Sequence, residues 1–151
     1  MKTIILYLML VFFVSDCRPA NSPAVMDKPT QPVTGSDSVN INFTPRINEL
    51  KRSLSDDFIV KEHSYFVIAS NLSETETEKI LNSTIDKAVE CFYNDYFSTR
   101  PDEATTIFLF KDDKTYRYWA KNLYGDDDLS KYGYYKPSEK TMLMNINTGT
   151  G

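Results

Sequence analysis

The sequence predicts an α+β domain, a mixed but mostly β-sheet with two helices packed on it. Three observations point there. Short β-branched and aromatic runs at residues 58–60, 65–69, 105–110 and 141–146 read as strands. Two longer segments, one after Ser73 and one after Asp112, repeat apolar residues at the helical period. Strand-like and helix-like segments also alternate along residues 46–151, so the helices are expected to pack on the sheet.

Each element has its own warrant. Residues 58–60 and 65–69 flank the polar stretch 61–64, which predicts a strand pair or one bent strand. His63, the one histidine, falls in that stretch and reads as a solvated turn residue. Ser73 and Glu76 then form a capping box, in which each side chain accepts from an amide that the first helical turn leaves unpaired. Leu81, Ile85, Ala88, Val89, Phe92, Tyr96 and Phe97 follow as the core-facing stripe, with Lys79, Asp86, Lys87 and Glu90 on the solvent side. Cys91 in this helix reads as a small buried hydrophobe.

Residues 105–110 are apolar on consecutive positions, as a central strand covered on both faces requires. Asp112 or Asp113 caps the next helix, whose stripe is Tyr116, Trp119, Ala120 and Leu123 and whose left-handed stop is Gly125. The run Asp126, Asp127, Asp128 lacks the alternating ligand spacing of a calcium loop and reads as solvated or helix-capping. Residues 133–135 and 141–146 are two short strands joined by a polar, proline-containing turn. The second runs into a Thr/Gly loop ending at Gly151, so the expectation is a domain truncated at its C-terminus, its last strand still awaiting cover.

The N-terminal third is not part of that domain. Lys2 and the eleven-residue apolar run 4–14 have the order of an export signal, and the run is too short for the roughly 20 residues of a membrane helix. Residues 1–17 are therefore read as the leader. Cys17 closes it, and two routes are open: lipid attachment at Cys17 in an imperfect lipobox, with Asp16 where a small residue is usual, or plain secretion. Residues 18–45 hold five of the seven prolines and almost no bulky apolar residue, which predicts an extended linker. The product is expected to be exported, as an envelope lipoprotein or a secreted protein, with membrane contact only through a lipid on Cys17.

Composition narrows the function classes. Formal net charge is −4 and the basic residues are interspersed with acidic ones, so no nucleic-acid stripe and no polybasic membrane patch is present. Without the leader one cysteine remains, Cys91, and no internal disulfide is available. Aromatic residues make up 13% of the chain, enough to build a modest core and to bring phenol hydroxyls to a groove. Three N-x-S/T sequons, at Asn42, Asn71 and Asn82, read as chance occurrences.

The order strand, long helix, strand, helix, then Gly133-Tyr134-Tyr135 and a hairpin into Met142-Leu143-Met144, resembles the region just upstream of the zinc-binding helix in gluzincin-type (peptidase-MA-like) metallopeptidases. The resemblance covers most of residues 58–151. It implies the upstream half of a zincin catalytic domain, ending before the H-E-x-x-H helix that would carry zinc and the general base. It places Gly133, Tyr134 and Tyr135 on the edge strand that pairs with an extended peptide substrate, Gly133 letting the substrate backbone approach closely. It puts Met142, Leu143 and Met144 on an inner strand under the absent helix. One of Tyr132, Tyr134 and Tyr135 would stabilise an oxyanion, with the register undetermined. Zinc is implied only for a full-length relative, because one histidine does not make a site, and no catalytic residue or metal ligand is assigned to this chain. A second reading stays beside it: an exported or lipid-anchored non-enzymatic binding or scaffold module whose tyrosine-rich hairpin meets a partner.

Overall fold

Phe43, Ile47, Leu50 and Leu54 lie at helical spacing, and the chain around them folds as one helix. In the computed structural model, which describes residues 41–95 and 103–149, this is α1 (Thr44–Ser53), with Pro45 in its first turn. Sequence reading had put Thr44 and Pro45 in the linker and assigned no helix here. The stripe is sparse, because charged and polar residues separate its apolar positions. Residues 1–17, read as an export leader, and with them Cys17, Tyr96 and Phe97, lie outside the described residues.

The remaining elements are β1 (Ile59–His63), β2 (Phe66–Ser70), α2 (Glu74–Ile80), a π-helical stretch (Leu81–Ile85), α3 (Asp86–Asp95), β3 (Thr105–Phe110), α4 (Asp113–Tyr124), β4 (Gly133–Lys136), a 3-10 turn (Pro137–Glu139) and β5 (Thr141–Asn145). α2, the π-helical stretch and α3 run on as one helix. The architecture is thus α+β, a five-stranded mixed sheet with three helices where two were expected. Strand order is β1-β2-β3-β5-β4. β2, β3 and β5 run parallel, and the antiparallel β1 and β4 form the two edges.

Helices cover both faces. On one, Val67, Ala69, Phe108, Phe110 and Leu143 pack against Leu50 and Leu54 of the α1 segment and Tyr116 and Ala120 of α4. On the other, Ile68, Ile107, Leu109 and Met142 pack against Leu81 and Ile85 of the long helix. β3 is buried from Thr106 to Phe110, the central strand its composition predicted. Each such aliphatic or aromatic side chain contributes about 1.5–3 kcal/mol by leaving water. Met142 and Leu143 are buried on opposite faces by groups of this chain, so the expectation that the last strand lacks cover is corrected for these two residues. Met144 is half-buried.

The caps follow the chemistry of the sequence. Ser73 and Glu76 make the reciprocal capping box, and Asp112 accepts from the Thr115 amide at 2.7 Å. Gly125 ends α4 at φ +71. β1 extends through His63, and a two-residue turn at Ser64 and Tyr65 joins it to β2, where a four-residue break at 61–64 was expected. Lys61 and His63 keep the strand going because each reaches a carboxylate on the long helix: Lys61 pairs with Glu78, and His63 Nε2 lies 2.6 Å from Asp86 Oδ1. His63 is therefore a strand residue with a partner, and Asp86 is half-buried beneath it, which corrects both solvated readings.

Candidate functional site on the outer strand

β4 begins at a glycine for a steric reason. Gly133 has φ +136, and a β-carbon there would run into the Leu143 carbonyl of β5. The small residue serves the β4–β5 contact.

Pairing then fixes where the backbone groups point. Tyr134 lies opposite Leu143 and Lys136 opposite Thr141, and the Asn145 amide donates to the Tyr132 carbonyl at 3.0 Å. In an antiparallel ladder hydrogen-bonded pairs alternate with non-bonded ones. Tyr132, Tyr134 and Lys136 therefore bond inward to β5, and the main-chain groups of Gly133 and Tyr135 face away from it, Gly133 being buried and Tyr135 half-buried. Among the described residues no strand pairs with that outer edge.

The same alternation sorts the side chains. Tyr134 and Lys136 share the α1/α4 face and converge on one carboxylate. The Tyr134 hydroxyl donates to Asp126 Oδ2 at 2.6 Å, and Lys136 Nζ donates to Asp126 Oδ1 and Oδ2 at 3.0 and 2.9 Å. Lys136 Nζ also lies 5.4 Å from the centre of the Tyr124 ring. Hydrogen bonds from Tyr134 and then Lys136 hold the Asp126 carboxyl below the usual aspartate range. Burial, followed by the bond to Asp126, pushes the Tyr134 hydroxyl well above an ordinary phenol. Tyr134 is thus a fixed hydrogen-bond donor rather than a base or nucleophile. Asp126 is a hub where a solvated or capping residue was expected, while Asp127 pairs with Lys121 at 2.9 Å.

Beside this clasp opens a cleft of about 390 Å³ lined by Arg46, Glu49, Tyr124, Lys136 and Glu139 among others. Arg46 anchors its wall: Nε donates to Thr106 Oγ1 at 2.9 Å and Nη1 pairs with Glu49 at 2.9 Å. Its charges are of both signs, with Arg46 paired to Glu49 and Lys136 to Asp126, so it offers no concentrated field for one ion.

Tyr135 points to the opposite face, where it lies across from Met142 and packs against the aliphatic core. Its hydroxyl is buried without a hydrogen-bond partner among the described residues, and burial pushes it above the ordinary phenol value. Tyr132 remains exposed. The hairpin thus brings Tyr134 and Tyr135 onto one strand and separates them by face. The Asp126 clasp was missed in sequence reading, although its signal is present: Tyr134 and Lys136 are two apart on one strand, just after an acidic run.

Zinc does not fit the residues described. His63, the chain's one histidine, stands on β1 at the opposite sheet edge and is held by Asp86. Among the described residues no three His, Cys, Asp or Glu side chains group to hold a metal, and no helix is long and apolar enough to cross a membrane. Comparison with protein-family models, with curated proteins and with solved structures gives no match to this chain.

Proposed function

We propose that this is an exported protein related in plan to the upstream half of a gluzincin-type peptidase domain, and that it holds an extended peptide along β4 without cleaving it. The observation that carries the reading is the outward-facing main chain of half-buried Tyr135 on an edge strand fixed from behind by the Asp126 clasp. Main-chain bonds would set the peptide's register, and half-buried Tyr135 would meet its apolar side chains on one face. The non-enzymatic scaffold reading draws on a different observation, the burial of Met142 and Leu143 by groups of this chain.

The test is fluorescence anisotropy of a labelled alternating Thr-Val peptide with the full chain. Binding is expected, with no cleavage with or without added zinc. Tyr135→Pro removes an outward N–H while sparing the bonds to β5, and it should lower affinity at least about tenfold. Equal binding by both proteins overturns the edge-strand reading. Chelator-sensitive cleavage overturns its non-catalytic part. DNA beyond codon 151 bears on the family: an H-E-x-x-H sequence shortly downstream supports the peptidase plan, and unrelated sequence counts against it.

A further inference from the structure

We propose that the π-helical stretch of the long helix is a registration joint for β1, and that the His63–Asp86 contact is the latch that keeps its surplus residue in place. The joint serves the sheet edge opposite β4 and is independent of peptide binding there.

A spacing points to it. Three contacts run down β1 and its turn at alternate residues: Lys61 with Glu78, His63 with Asp86, and the Tyr65 ring with the Tyr93 ring, their centres 5.7 Å apart. Alternate strand residues share a face, so their partners must follow one line along the helix. Asp86 and Tyr93 are seven apart within α3, the separation at which an α-helix returns to within about 20° of its starting direction. Glu78 and Asp86 are eight apart, which in an unbroken α-helix would leave Asp86 about 80° off that line. Between them stands the π stretch Leu81–Ile85, closed by the Asp86 amide donating to the Leu81 carbonyl, five residues back. A π turn takes up about one residue more than an α turn, so the eighth residue arrives where the seventh would. Leu81 and Ile85 meanwhile stay on the sheet, and Asn82 and Ser83 stay in solvent.

A surplus residue is not bound to one turn of a helix. The backbone at 81–85 can return to α geometry by passing the extra residue into α3, at the cost of rotating Asp86 off His63 and Tyr93 off Tyr65. Asp86 is the first residue past the stretch, so its contact with His63 opposes that move most directly. The end of β1 and the second half of the long helix are thereby coupled. Lys61–Glu78 lies before the joint and takes no part in the latch.

Amide hydrogen exchange on the full chain reads the joint. His63→Ala should speed exchange at residues 81–86 about fivefold, and Lys61→Ala should leave those amides as they are in wild type. Asp86→Ala should reproduce the effect of His63→Ala, and the two together should add nothing further, because they break one contact. Deleting exposed Ser83 makes Glu78 and Asp86 seven apart in an unbroken helix. That chain should keep the His63–Asp86 contact in a crystal structure, and His63→Ala within it should no longer speed residues 81–86. Equal speeding by Lys61→Ala and His63→Ala, no speeding by His63→Ala, additive effects of His63→Ala and Asp86→Ala, or a folded Ser83 deletion that has lost the contact overturns the proposal.

Discussion

The two edges of the sheet are finished in opposite ways. β1 is stitched along one face to the long helix by Lys61–Glu78 and His63–Asp86, and its exposed Glu62 adds a further charge to the rim. That is how a sheet edge is made unattractive to another strand. β4 is anchored from its other face, by Tyr134 and Lys136 on Asp126, and carries half-buried Tyr135 against the aliphatic core. Charge guards β1, whereas β4 joins a stiff backbone to an aromatic and apolar flank. Of the two, β4 is the edge that the proposed peptide would use.

Experiments can break that contrast, beginning with the largest effect. Gly133→Val should cost about 3 kcal/mol or more, since the site combines positive φ with a carbonyl in the way of a side chain; chemical denaturation measures it. If the variant is as stable as wild type, β4 is not tightly seated on β5. Asp126→Ala leaves the partly buried Tyr134 hydroxyl and Lys136 ammonium without their partner and should cost about 1–3 kcal/mol.

Asp126 also sets a pH dependence. Its carboxyl is lowered in the folded state, so its stabilisation is present above the ordinary aspartate value of 3.8 and is lost as pH falls through the folded-state value. Asp126→Asn should flatten that acid limb in thermal melts taken at stepped pH. Asp112→Ala, which removes the α4 cap, should cost about 1 kcal/mol and leave peptide binding unchanged. His63→Ala comes last, at no more than about 1 kcal/mol, because an exposed or half-exposed pair contributes little. A loss as large as that of Asp126→Ala would mean that β1 depends on its rungs as much as β4 does on its clasp.

What could be read from the sequence follows the range of the interactions. The capping box at Ser73, a cap at Asp112 or Asp113, the Gly125 stop and the central position of β3 depend on neighbours a few residues away or on dense apolar runs, and all were legible, with Asp112 taking the cap. α1 was not, because its stripe of Phe43, Ile47, Leu50 and Leu54 is diluted by polar residues and becomes apolar in effect only against the sheet. The end of β1 was misplaced for a related reason. Lys61 and His63 look like turn residues until carboxylates 17 and 23 positions away meet them. For the candidate site the strand was visible, while the role of Gly133 and the convergence on Asp126 needed the register of β4 on β5, which no local pattern encodes.

Asn71 carries a practical consequence. Its side chain is 7% exposed and its Oδ1 accepts from the Lys111 amide at 2.9 Å, where the chain leaves β3. Yet Asn71, Leu72 and Ser73 spell an acceptor sequence for oligosaccharide transfer. In a eukaryotic secretory host the transferase would reach this asparagine before the sheet closes, and a sugar there would wedge the strands apart. Bacterial expression sidesteps that race.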